Sequence, residues 1–160
     1  MPVTALMTPS GDNPQDWVMA KAKGLVVEHG AIKANDYATD WLKDEVGRER
    51  PSGKDHRSFP SGHSSSSFAH ATLSNRNLDS IDMPGLARQA LQVGNLGLAG
   101  TVRVEGKAHY PSDVLAGAAL GHFLTAFIYD AFMNLPDDSS PDMAISLVGG
   151  GAMVDLAWRF

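Results

Sequence analysis

The chain is predicted to be mainly α-helical: a compact bundle of about five helices followed by a small C-terminal β-hairpin. Three observations point there. Small and apolar residues recur at helical spacing between cap-forming residues over most of the chain. Glycines inside two of these segments mark faces suited to close helix packing. After Asn134 the composition turns to Leu-Pro-Asp-Asp-Ser-Ser-Pro-Asp, and the apolar period beyond it changes to two. The expected division is a helical domain over residues 1–136, then a linker and hairpin over residues 137–160 packed on that domain or on a partner chain.

The first helix opens at Asn13 and Pro14, a good cap and first-position pair, carries Trp17, Ala20, Gly24 and Val27, and stops near Gly30. From Ala31 a second follows through Ala34, Ala38, Trp41, Leu42 and Val46, with Gly47 and Pro51 ending it and Lys43 in its last turns. Pro60, Ser61, Gly62 and His63 then introduce Ser64 to Ser67, Phe68, Ala69 and Ala71, small residues suited to a tightly packed third helix. A fourth runs from about Asp82 to Pro84 as far as Val102, with Gly94, Gly97 and Gly100 on a packing face. The fifth starts near Pro111 and Ser112 and continues through Gly117, Gly121 and Ile128 to about Met133. In the last segment Ala152, Val154, Leu156, Trp158 and Phe160 alternate with Met153, Asp155, Ala157 and Arg159, and Gly149 to Gly151 turn the chain back on Met143 to Val148.

With 160 residues the chain fits one core. Its 13 basic and 18 acidic residues give a net charge of -5, which opposes a broad cationic surface and hence nonspecific nucleic-acid binding. The absence of cysteine excludes disulfides, thiol catalysis and thiolate metal sites. Met1 to Gln15 lacks the basic region and apolar core of a signal peptide, so an exported protein would have lost its leader. Val114 to Tyr129 is free of Asp, Glu, Lys and Arg for 16 residues. A spanning helix wants about 20 apolar residues, so a buried core helix in a soluble chain is the expectation.

Three short segments carry chemistry. Lys43 is followed seven residues later by Arg50 and Pro51, inside a run from Lys43 to Arg57 in which nine of fifteen residues are charged. Pro60 to His63 forms a turn that becomes a helix N-terminus, where unpaired backbone N–H groups can cradle an anion and glycine allows close approach. Arg103 precedes His109 by six residues, and Asp113 lies four beyond His109. A phosphate ester needs its equatorial charge neutralised, a nucleophile in line with phosphorus and an acid on the leaving oxygen; these residues supply candidates for each.

Lys43 to Pro51, Pro60 to His63 and Arg103 to Asp113 resemble, in order and internal spacing, the three signature motifs of the type 2 phosphatidic acid phosphatase superfamily, whose relatives include bacterial class A acid phosphatases and vanadium haloperoxidases. The resemblance covers about Trp41 to Phe123. It implies a metal-independent phosphomonoester hydrolase, an acid phosphatase or lipid phosphate phosphatase, working through a phosphohistidine. It makes His109 the nucleophile, with Asp113 holding the other ring nitrogen, and His63 the general acid and later base. Lys43, Arg50 and Arg103 would bind the phosphoryl oxygens, and the Ser61 hydroxyl and Gly62 amide would complete the cradle. A carboxylate that fixes the tautomer of an imidazole makes its other nitrogen nucleophilic.

The pattern is departed from in three places. Val102 stands where a serine usually precedes the third-motif arginine, only eight residues separate Pro51 from Pro60, and the membrane helices of the lipid-phosphatase branch are absent. These features favour an open site and the soluble, exported branch, in the periplasm or beyond. No cofactor is expected. Vanadate would enter only in the first alternative, a vanadium-dependent haloperoxidase; the second alternative is a noncatalytic phosphate or phospholipid binding module. The expected partner is a phosphate ester, soluble or lipid, with no nucleic acid, no membrane span, and possible self-association through the hairpin. Other histidines have simpler explanations: His29 suits a helix end, His122 a helix face, and His63 with His70 could meet across two turns only as a minor metal-site option. Trp41, Phe59, Phe68 and Tyr110 could wall the pocket.

Overall fold

A computed structural model describes residues 2–7, 13–100, 108–133, 142–148 and 151–157. Five helices occupy most of them: α1 (Pro2–Met7), α2 (Pro14–Val46), α3 (Gly62–Asp79), α4 (Gly85–Gly100) and α5 (Pro111–Met133). The number agrees with expectation, but its members differ. The two helices predicted on either side of Gly30 are one helix of 33 residues, and a short helix not anticipated precedes it. Gly30 does not stop α2 because the buried stripe runs past it without a change of phase, through Gly24, Val27, Glu28, Ala31, Asn35, Thr39 and Lys43. One exposed glycine costs about 1 kcal/mol of propensity, too little to break a helix anchored on both sides. His29 therefore lies within a helix and not at its end.

The predicted boundaries of α2 rest on local chemistry. The Asn13 side chain accepts from the Asp16 amide at 2.9 Å and Pro14 opens the first turn. At the other end Gly47 has φ of 55°, a left-handed conformation that closes the helix with its N–H donating to the Lys43 carbonyl at 3.1 Å.

Contacts along the helices give their directions. Thr39 meets Ser65 and Lys43 meets Pro60, while Glu28 meets Asn77 further along, so α2 runs antiparallel to α3. Ser61 meets Asp113 and Asn77 meets Tyr129, so α5 runs parallel to α3. Two parallel neighbours need a return element, and α4 supplies it, crossing α3 through Asn95 to Asn75 and Gln92 to Asp79. The α3–α5 seam is unusually close. A Cβ on Gly117 would sit 2.3 Å from the Ser61 carbonyl oxygen, and one on Gly121 would sit 2.0 Å from that of Ser65, so only glycine permits this approach.

Close packing of small residues leaves little room for a greasy interior. Ala31, Leu73 and Tyr129 form the apolar centre, edged by Ile32, Ile128 and Met133. Much of what else is buried is polar: Glu28, Asn35, Thr39, Ser58, Ser64, Ser65, Thr72, Asn77, Asp113 and Thr125. Large apolar side chains point outward instead, including Trp17, Trp41, Leu115, Phe123 and Phe127. The expectation of α5 as a buried core helix is corrected accordingly. Its inward face carries Asp113, Gly117, Gly121, Thr125, Ala126 and Tyr129, and its 23 residues are long and apolar enough, by length and composition, to cross a membrane.

The fold-class expectation also needs correction at the C-terminus. Strands β1 (Asp142–Val148) and β2 (Gly151–Ala157) pair only with each other, in antiparallel register from Asp142 opposite Ala157 to Val148 opposite Gly151. Among the described residues neither makes more than a marginal contact with a helix, so the predicted hairpin adds no layer to the described bundle and the elements that position the site are helical. A two-stranded ribbon without a packing partner is marginal in water, which is why alternation alone was insufficient to place it in the fold. The linker at 134–141, the Gly149–Gly150 turn, Trp158 and Phe160 lie outside the described residues.

Candidate active site

The antiparallel course of α2 and the parallel course of α5 bring the C-terminal end of α2 to the N-terminal ends of α3 and α5. Two positive helix-dipole ends thus meet beside the cations of the first motif. A cavity of about 720 Å³ opens there, lined by Lys43, Arg50, Ser61, Gly62, His63, Ser66, Ala108 and His109. Residues more than sixty positions apart in sequence share one wall because the α3–α5 seam pins their segments: the Ser61 amide donates to the Asp113 carbonyl at 2.9 Å, directly above the close approach at Gly117.

Lys43 is buried, and its Nζ donates to the Pro60 carbonyl. Burial lowers its pKa, with Arg50 adding to the effect and Asp40 opposing it. The Gly62 α-carbon packs against the lysine stem; a Cβ there would lie 3.6 Å from Lys43 Cε. Arg50 is held on two sides. Its Nε donates to Asp55 at 2.7 Å, and its Nη1 donates to the Ala108 carbonyl at 3.2 Å while standing 3.5 Å from Nε2 of His109. A tight turn fixes the loop that carries it, with Arg50 N–H bonded to the Asp55 carbonyl and Gly53 N–H to the Arg50 carbonyl.

Ser61 is the N-cap of α3. Its Oγ accepts from the Ser64 hydroxyl at 3.1 Å and lies 3.4 Å from the Ser64 amide. Its hydroxyl therefore also serves the helix, beyond the cradle role the motif implies. His63, in the first turn, is exposed and borders the cavity. His56 and Arg57 do not line it; Arg57 instead pairs with Asp40 and Asp44 on α2. Among the described residues no cluster of three or more His, Asp or Glu side chains converges for a metal, His63 and His70 included. Of the expected aromatic wall, Trp41 is largely exposed and none of the four residues lines the cavity. Arg103 and Val102 lie outside the described residues.

The arrangement around His109 differs from the implied one. Asp113 is fully buried, yet its Oδ2 stands 4.0 Å from Nδ1 of His109, beyond hydrogen-bond reach. Nδ1 instead lies 2.7 Å from the Ser58 carbonyl oxygen. A carbonyl only accepts, so this contact puts the proton on Nδ1 and leaves the lone pair on Nε2, the nitrogen beside Arg50. Burial lowers the imidazole pKa below 6.5; the Ser58 bond and Asp113 pull upward while Arg50 and Lys43 push down, and the neutral form prevails near pH 7. Asp113 is occupied elsewhere: it accepts from Ser58 Oγ at 2.5 Å, from the Tyr110 amide at 2.8 Å and from Arg48 Nη1 at 2.8 Å. Arg48 also reaches Ser112 Oγ and stacks over the Tyr110 ring at 4.1 Å.

Arg48, Asp55 and Ser58 were therefore missed by sequence reasoning. Arg48 and Asp55 are hidden in a dense charge run, where any member reads equally well as solvated, and a lone serine before Phe59 gives no signal of its own.

The family model of the PAP2 superfamily matches residues 26–137, which takes in all three motifs. The chain belongs to this superfamily. It is also 33% identical over 104 residues to a lipid A 1-phosphatase of Porphyromonas gingivalis, a match covering 65% of this chain. The chain spans about a fifth of that relative's length, the match covering 21% of it. No solved structure matches. Membership accounts for the shared order of the motifs, and the close α3–α5 seam accounts for how such distant segments meet.

Proposed function

We propose that this PAP2 domain is a phosphatase that hydrolyses a phosphate ester through a phosphohistidine on His109. One observation carries the reading: in a cationic cavity, Nδ1 of His109 is engaged by an obligate acceptor, so Nε2 is the nucleophilic nitrogen and lies beside the Arg50 guanidinium. The phosphoryl group would sit with its oxygens on Lys43, Arg50 and the first amides of α3, with Arg103 as a further ligand. Nε2 attacks phosphorus, the P–O bond to the leaving group breaks, and His63 delivers a proton to the departing oxygen. Water, deprotonated by His63, then attacks the phosphohistidine and releases phosphate. No step in this scheme requires a metal.

A lipid phosphate is the substrate class that fits best. The relative is a lipid A 1-phosphatase, and α5, which begins two residues after His109, turns Leu115, Phe123 and Phe127 outward. Apolar surface beside a phosphate pocket suits a substrate whose leaving group stays in lipid.

Purified protein would be given lipid phosphates in mixed micelles and a chromogenic phosphomonoester, with a chelator present, from pH 5 to 8. Phosphate release that resists the chelator is expected. Because His109 must be neutral to attack and its pKa lies below 6.5, kcat/KM should hold its plateau into mildly acid buffer. Absence of turnover on every ester would sink the proposal, and halide oxidation on adding vanadate and peroxide would replace it with the haloperoxidase alternative.

A further inference from the structure

We infer that Ser58 is the positioning residue of this site, the group through which Asp113 acts on His109. The inference rests on the reading of His109 as nucleophile. Ser58 is fully buried and uses each of its polar groups on a different segment. Its amide donates to the Arg48 carbonyl at 2.9 Å, inside the first motif. Its hydroxyl donates to Asp113 Oδ2 at 2.5 Å, in the third. Its carbonyl accepts from Nδ1 of His109 at 2.7 Å. Two residues later the chain enters Pro60 and the helix N-terminus of the second motif. Ser58 is thus bonded to the segments of both outer motifs while adjoining the middle one.

The physical consequence follows from what each group can do. Asp113 lies too far from the imidazole to hold it directly. It does hold the Ser58 hydroxyl and the Tyr110 amide, and so fixes the two backbone segments on either side of His109. With the hydroxyl anchored, the serine carbonyl is aimed at Nδ1, and a carbonyl in that place admits only the tautomer with its lone pair on Nε2. Arg48 completes the arrangement by neutralising the far oxygen of Asp113 at 2.8 Å. Asp113 thus orients the nucleophile through a serine and not by contact.

The test combines spectroscopy with kinetics on the full chain. In long-range proton–nitrogen spectra of histidine-labelled wild type, the signals lost in His109→Ala identify His109. They should show a proton on Nδ1 and an unprotonated Nε2 at pH 7.5. That measurement needs no turnover, so it stands whether or not a substrate is found. The opposite tautomer would overturn the inference. In Ser58→Ala, Asp113 keeps its bonds to Tyr110 and Arg48, so the fold should survive. The expected result is a mixture of tautomers for His109 and a kcat lowered about tenfold or more, the scale of one lost orienting hydrogen bond. KM should stay within about threefold, because Ser58 does not line the cavity. Ser58→Thr, which keeps the hydroxyl, should recover most of the rate. A folded Ser58→Ala protein with wild-type kcat and an unchanged tautomer would refute the assignment even if the phosphatase reading holds. Wild-type protein without activity but with the expected tautomer would refute the phosphatase reading and leave the positioning role standing.

Discussion

The seam between α3 and α5 buries polar groups at both of its ends, and the two ends solve the problem in opposite ways. At the motif end, Lys43, Arg48, Arg50 and Asp113 are charged groups held among one another and among hydroxyls and carbonyls. About 22 Å further along α3, taken from Gly62 to Asn77 at the helical rise, lies a cluster of Glu28, Asn77 and Tyr129. Asn77 donates to Glu28 Oε1 at 2.6 Å, and the Tyr129 hydroxyl donates to Asn77 Oδ1 at 3.2 Å. Glu28 Oε2 is buried with no hydrogen-bond partner among the described residues. Burial accordingly drives both acids toward their neutral forms, raising Glu28 and pushing Tyr129 up to about 12. The motif end groups its acid and bases together, while at the far end burial favours the neutral forms of Glu28 and Tyr129.

The largest expected effect breaks the first end alone. His109→Ala should lower kcat by about a thousandfold or more while thermal unfolding stays near that of wild type, measured by phosphate release beside circular dichroism. A near-normal rate would reassign the nucleophile and dissolve the contrast. Next, Gly121→Ala should disturb both ends together, because its methyl would stand 2.0 Å from the Ser65 carbonyl oxygen. Displacing one helix from the other is expected to cost about 3 kcal/mol in denaturant unfolding, and an unchanged midpoint would show that the seam is looser than its geometry.

A smaller and more specific effect belongs to the far end. Because the folded state raises Glu28 above its ordinary 4.5, it holds that proton more tightly than the unfolded chain does. The resulting stability is complete below pH 4.5 and is lost as pH climbs through the folded pKa. Glu28→Gln should therefore flatten that part of the stability profile, staying within about 1 kcal/mol of wild type in mildly acid buffer. An identical pH profile in the two proteins would mean that Glu28 is ionised in the fold. The least effect is expected from Arg57→Ala. Its pairs with Asp40 and Asp44 are largely exposed, so unfolding free energy should change by less than about 0.5 kcal/mol and turnover should be untouched.

The same contrast governs what could be read beforehand. The motif end was legible because its residue types are scarce and their spacings joint: Lys43 with Arg50, Ser61 to His63, and His109 with Asp113. Ser58 and Arg48 were not, since a buried backbone carbonyl and one arginine in a charge run leave no mark on composition. The far end was invisible. Glu28, Asn77 and Tyr129 come from three helices, and only their relative directions and register bring them together. The apolar pattern misled where it was trusted for burial, in the reading of α5 as a buried core helix, because this bundle packs through small and polar residues and shows much of its large apolar surface outside.

By itself, the amino-acid order determined the helical class, the cap at Asn13, the close at Gly47, and the three motifs that mark the superfamily, since each depends on local conformational preference or on the residue types at fixed spacing. Tertiary structure decided that α2 is continuous, that the strand pair stands apart from the bundle, and that a serine carbonyl and not a carboxylate meets the imidazole. Those outcomes depend on distances between segments far apart in the chain. At the site, Gly117 and Gly121 contribute by letting the backbones of α3 and α5 approach more closely than any side chain would allow.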